Sequence, residues 1–150
     1  MRLNMNVTRN FNLNRIKLDL TKELNKGGLI IRQDHIDRLD RGLGVDGRAM
    51  KSLSPGTILA KGHSKILVDT DKMRRLNVKK ATPTNQVVII SPGDKRKYPG
   101  TNLTAKDIGG FHQVGGGRLP KREWFGISKT AEKRVIAEAE RTIRRMVDNA

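Results

Sequence analysis

The sequence predicts an α+β fold: a small, mainly antiparallel sheet packed with an N-terminal and a C-terminal helix, with long loops between. Three observations carry that prediction. Leu29, Ile36, Leu39 and Leu43 recur at helical spacing near one end, and Val135, Ile136, Ala139, Ile143 and Met146 do so at the other. Between them lies Val87 to Ile90, a continuous run of β-branched aliphatics that follows the turn Thr82-Pro83-Thr84-Asn85. The chain has 150 residues, enough for one core but not two, so residues 1–150 are expected to form a single domain.

Taken in order, residues 1–14 are Asn-rich and aperiodic and read as a flexible arm. RIKLDL, residues 15–20, alternates charged residues with Ile16, Leu18 and Leu20, the pattern of a half-buried strand. After Gly27-Gly28 a helix is expected from about 28 to 42, stopped by Gly42 and Gly44. Residues 45–65 hold Gly, Pro, Ser and Lys with few periodic apolar positions and read as a long connection. Asp69 or Thr70 is placed to cap a short helix carrying Met73 and Leu76. A hairpin then pairs about 76–82 with 86–91, bringing Leu76 opposite about Ser91, with the second strand buried on both faces. Thr104 and Asp107 have capping-box spacing for a short helix that glycines 115–117 end. Ser128 caps the last helix, whose outer face carries Arg134, Arg141, Arg144 and Arg145.

Charge is the strongest bulk signal. The formal net charge is +16, and half of the excess lies in residues 51–100, where 11 Lys and Arg face 3 Asp. Self-repulsion on that scale favours an anionic partner. Two clusters are expected to merge at the open end of the hairpin: Lys72, Arg74, Arg75, Lys79 and Lys80 with Lys95, Arg96 and Lys97. The patch they form is a candidate contact for phosphates or an acidic protein face.

Other chemistry is excluded or weak. Without cysteine there is no disulfide, thiolate metal site or Cys nucleophile. No apolar run approaches a membrane span, and the N-terminus lacks the apolar core of a signal peptide, so a soluble protein with no membrane partner is expected. GLGVDG, residues 42–47, matches G-x-G-x-x-G but follows a helical pattern and opens a loop, the reverse of a dinucleotide site. His35, His63 and His112 lack metal-ligand spacing. His112 reads as a helix-surface residue or, with Gln113, as a source of interface hydrogen bonds. Asp34, Asp37 and Asp40 alternate with Arg38 and Arg41 as a solvated, ion-paired helix face would. No enzyme activity and no cofactor are expected.

LPKREWFG, residues 119–126, spends the single Trp beside a Phe in a chain with aromatics at 3% of positions. Pro120 stiffens the approach, Gly126 permits a tight exit, and Arg122 between them is suited to a carboxylate, while Trp124 and Phe125 bury large area at low entropic cost. Such a segment acts as a latch, either for the last helix or for a neighbouring subunit.

From Val45 onward, over about 100 residues, the chain resembles the Mu-like phage virion morphogenesis, or tail completion, family. The residues that carry this are Asp46-Gly47 and Leu53, Ile66-Leu67 with Asp69-Thr70, the hairpin, His112-Gln113 with Gly115, and Pro120, Arg122, Trp124, Phe125 and Gly126. Two features depart from the family pattern: Thr70-Asp71 stands for its Thr-Gly, and Trp124-Phe125 for its Phe-Leu. The resemblance implies a non-enzymatic virion protein of tail completion or the neck, made in the host cytoplasm and built into a ring. Its implied partners are other neck and tail proteins, further copies of itself and packaged DNA. The alternative from charge alone is a free nucleic-acid-binding protein of ribosomal or nucleoid type.

Overall fold

A computed structural model describes residues 19–68, 71–92, 95–98 and 100–148. The arm at 1–14, most of the expected strand at 15–20 and the cap at Asp69 or Thr70 lie outside them. The fold is α+β, as the sequence predicts, with four helices and a two-stranded antiparallel sheet.

Helix α1, Thr21–Asp40, starts well before the expected residue 28 and runs straight through Gly27 and Gly28. Leu20 is its N-cap, so this end of RIKLDL is not strand, and the Asp19 carboxylate accepts from the Thr21 N–H at 2.9 Å. The glycines are there for contact. A Cβ on Gly27 would stand 3.1 Å from Val135, and one on Gly28 would stand 2.8 Å from Val88 and 3.1 Å from Val78. Each glycine costs the helix about 1 kcal/mol relative to Ala, and both are kept because α4 presses on one side and the hairpin on the other.

The 45–65 connection is not wholly irregular. Helix α2, Pro55–Lys61, is capped by the Ser54 hydroxyl, which accepts from the Thr57 N–H at 3.3 Å, with Pro55 in the first turn. It buries none of its residues. GLGVDG is the turn that follows α1, with Gly42 and Gly47 at positive φ, and it opens no helix.

A single 3-10 turn, Lys72–Arg74, leads into β1, Leu76–Lys79, which pairs antiparallel with β2, Ile89–Pro92. Leu76 faces Pro92, one residue beyond the expected Ser91. Thr82 and Asn85 close the Pro83 turn through reciprocal backbone hydrogen bonds of 2.9 and 3.1 Å. The expectation of an inner strand covered on both faces is overturned. Among the described residues β2 has one neighbour, and Val87 and Ile89 are about half exposed. Val88 and Ile90 alone turn inward, towards a groove of about 540 Å³ shared by α1, α4 and the hairpin.

Helix α3, Ala105–Val114, carries the expected capping box, with Thr104 N–H donating to Asp107 at 2.8 Å and Asp107 N–H to the Thr104 hydroxyl at 3.4 Å. Gly115 ends it. Helix α4, Lys129–Asp148, begins where the buried Ser128 hydroxyl accepts from the Ala131 N–H at 3.0 Å. It packs along α1 as the most extensive contact between elements. The core gathers Leu39, Met50, Leu67, Met73, Ala105 and Trp124, with Ile66, Val68, Tyr98 and Phe125 around it.

Candidate functional site

The 119–126 segment lies at the centre of the molecule. Gly116 and Leu119 exchange backbone hydrogen bonds of 3.0 and 2.9 Å, folding the chain back after α3 so that the Arg122 N–H reaches the His112 carbonyl at 2.7 Å. From there each latch residue meets a different element. Trp124 is 2% exposed, and its indole N–H donates to the Gly109 carbonyl of α3 at 2.8 Å. The indole covers the helix so closely that a Cβ on Gly109 would stand 2.2 Å from its ring. Gln113 clamps the backbone beside it. Its Oε1 accepts from the N–H groups of Trp124 and Phe125 at 3.1 and 3.2 Å, and its Nε2 donates to the Phe125 carbonyl at 3.1 Å.

Arg122 does not pair with a carboxylate among the described residues, contrary to expectation. It is 5% exposed, and its Nε and Nη2 donate to the carbonyls of Lys51 and Ser52 at 3.0 and 3.2 Å. Its Nη1 lies 3.3 Å from Nδ1 of His112. A guanidinium only donates, so Nδ1 is the acceptor and the neutral ring carries its proton on Nε2. Burial, then the charges of Arg122 and Lys61, hold His112 below the usual histidine pKa. Desolvation also lowers the pKa of Arg122. His112 and Gln113 are thus tied to the latch within the chain, and His112 is half-buried rather than a surface residue.

The opposite side of Trp124 is held by α1. Asp34 and Arg38 form an ion pair of 2.8 Å, and both are buried. Arg38 also reaches the carbonyls of Trp124 and Gly126 at 3.4 and 3.3 Å. The solvated acidic face read from sequence is therefore corrected: Asp37 and Asp40 pair outward with Gln33 and Arg74, but Asp34 turns inward. His35 is 1% exposed, donates Nε2–H to the Met73 carbonyl at 3.0 Å, and tilts over Trp124 with ring centroids 5.5 Å apart. Burial lowers its pKa.

The expected basic patch is divided. Lys72 is buried, donates to the Lys97 carbonyl at 2.8 Å and lies 4.4 Å over the Tyr98 ring. Arg74 is bound by Asp71 at 2.9 Å and Asp40 at 2.8 Å. Neither is a free cation for a partner. Lys79 and Lys80 lie at the turn end of β1, whereas Lys95, Arg96 and Lys97 come after β2 at the open end of the hairpin, so the clusters meet only through 72–75. Arg75, Lys79, Lys80, Lys95, Arg96 and Lys97 remain exposed.

No residue pattern announced the cavity beside Arg122, about 760 Å³ in volume, between α2, α3 and the 118–122 turn. Lys51, Lys61, His112, Arg118 and Arg122 line it together with Met73, Tyr98, Ile108 and Leu119. Leu67, also in its wall, has φ 55°, a left-handed conformation that a branched side chain avoids. The Gly109-Gly110 pair inside a helical pattern marks the close approach of Trp124 instead, and at Gly109 only. Among the described residues no three His, Asp or Glu gather as a metal group would, and no helix is long and apolar enough to cross a membrane. No family model, curated protein or solved structure matches the chain.

Proposed function

We propose that the protein is a structural subunit of a phage virion, acting in tail completion or the neck where head and tail are joined, and that it assembles as a ring. The observation that carries this reading is convergence. The sequence parts on which the resemblance rests are far apart in the chain, and a chance run of matching letters would scatter over the fold. Instead Val45, next to Asp46-Gly47, donates to the Glu123 carbonyl at 2.8 Å, Leu53 and Arg122 share one cavity, Leu67 packs in the core with Trp124, and Gln113 clamps 124–125. Asp69-Thr70 falls outside the described residues. The net charge of +16 adds that negatively charged neighbours, whether packaged DNA or acidic faces of adjoining rings, would relieve self-repulsion.

The test is genetic and visual. Deleting the reading frame from the phage genome that carries it is expected to leave DNA-filled heads and separate tails, with infectivity restored when the protein is supplied in trans. Normal infectious particles without the protein would overturn the reading. A protein absent from purified particles that binds duplex DNA with a steep salt dependence would instead be the free nucleic-acid-binding protein.

A further inference from the structure

We infer that the cavity beside Arg122 seats an acidic side chain, flanked by apolar residues, from a partner protein. The inference does not rest on the virion reading and stands or falls on the cavity alone.

Charge complementarity carries it first. Lys51, Lys61, Arg118 and Arg122 line the cavity, and no carboxylate does so among the described residues. Arg122 is the decisive member. It is held in place by two carbonyls and the His112 ring, so its geometry is fixed before any ligand arrives, yet those acceptors carry no formal charge. A carboxylate entering the cavity would give this desolvated guanidinium the counter-charge that the described residues do not supply, and would meet it pre-organised. Lys61 is held too, its Nζ donating to the Lys65 carbonyl at 2.9 Å.

The apolar part of the wall decides the class of partner. Leu53, Leu67, Met73, Tyr98, Ile108 and Leu119 line the same cavity as the cations. The helices that form the walls also expose large apolar side chains: Leu59 on α2, 86% exposed, and Phe111 and Val114 on α3, 53% and 74% exposed. A duplex offers phosphates on the outside of a wide polar rod, which exposed lysines and arginines meet best, and its apolar thymine methyls lie recessed in the major groove, away from such walls. A peptide carrying Asp or Glu between aliphatic residues satisfies both parts. The volume is within the range of pockets that enclose a few side chains, about 300–1,000 Å³.

The test uses the full chain, labelled at methyl groups and titrated with acetyl-Leu-Glu-Leu-amide, its Leu-Gln-Leu counterpart and a 20-base-pair duplex. The Glu peptide is expected to shift the Met73 and Ile108 methyl resonances to saturation. The Gln peptide should bind about tenfold more weakly, the loss of one charge-assisted contact. Arg118→Glu, in an exposed turn, should weaken the Glu peptide at least about fivefold without moving the melting temperature. Equal binding of the two peptides, no response of these methyls, or a response to duplex DNA at the same methyls would each overturn the inference.

Discussion

Two buried arginines anchor the segment that carries Trp124, Arg38 from α1 and Arg122 within the segment itself, and the two flanks solve the same electrostatic problem in opposite ways. On the α1 side, Arg38 has Asp34 at 2.8 Å and adds two carbonyls, so the charge is balanced inside the chain. On the α3 side, Arg122 has the carbonyls of Lys51 and Ser52 and a neutral histidine. Both arrangements satisfy donors, but only the first satisfies charge. One flank is closed and structural. The other is structural and still carries an excess of positive charge beside a cavity, which is where a partner has something to contribute.

The largest break should come from the closed flank. Asp34→Ala leaves Arg38 buried with carbonyls alone, and removing one member of a buried pair costs about 3–5 kcal/mol. Urea unfolding followed by the emission of Trp124, the single tryptophan, would read it. Arg122→Met removes a charge that has no carboxylate to lose among the described residues. Lys51 and Ser52 are exposed, so water takes over their carbonyls, and the cost is confined to the orphaned His112 Nδ1, about 1–3 kcal/mol. If Arg122→Met were the more damaging of the two, the contrast between the flanks would be wrong.

Acid should act on both flanks through their histidines. Burial holds His35 and His112 below their ordinary pKa of 6.5, so the fold keeps each ring neutral while the unfolded chain takes up protons first. Stability is therefore unchanged above about pH 6.5 and falls as pH drops below it, by at most about 1.4 kcal/mol per pH unit for each histidine. Urea midpoints at pH 7.5 and 5.5 measure the fall. An NMR titration should find both rings protonating below the ordinary histidine value, and a ring that protonates at or above it would show its flank to be open to water.

Much of this fold was legible because the deciding signals are local. Ser128 before an apolar stripe, Thr104 with Asp107, and Gly115 after α3 each specify a helix end from a few neighbouring residues. Ser54-Pro55, which opens α2, was a signal of the same kind that composition concealed. What sequence could not decide was set by distant partners. Asp34 with Arg38 and Gln33 with Asp37 have the same spacing on one helix, and only the latch, about ninety residues later, buries the first pair. Lys72 looked like its neighbours in a basic run until Tyr98 and the Lys97 carbonyl took it in. Arg122 binds backbone carbonyls, and those are present at every position, so no residue type announces them. Gly27 and Gly28 were misread because glycine marks both a helix break and a close approach, and only the valines opposite tell them apart.

The smallest predicted effect sharpens the contrast most directly, because it adds charge where the structure lacks it. Ser54 caps α2 and lines the cavity with Lys51, Lys61, Arg118 and Arg122. Aspartate caps a helix as well as serine does, accepting from the same Thr57 N–H, and places a negative charge at the positive end of the helix. Ser54→Asp should therefore raise stability by about 0.5 kcal/mol in low salt, since the site is exposed and long-range attraction is screened. At 500 mM NaCl most of that gain should vanish, and the Glu-bearing peptide should bind the variant more weakly than the parent at either salt. A carboxylate introduced on α1, as in Gln33→Glu beside Asp37, should lower stability by a few tenths of a kcal/mol in low salt, because it removes the donor to Asp37 and sets two like charges one turn apart. Equal responses to the two substitutions would mean that the Arg122 flank holds no unbalanced charge, and the cavity would then be only a gap in packing.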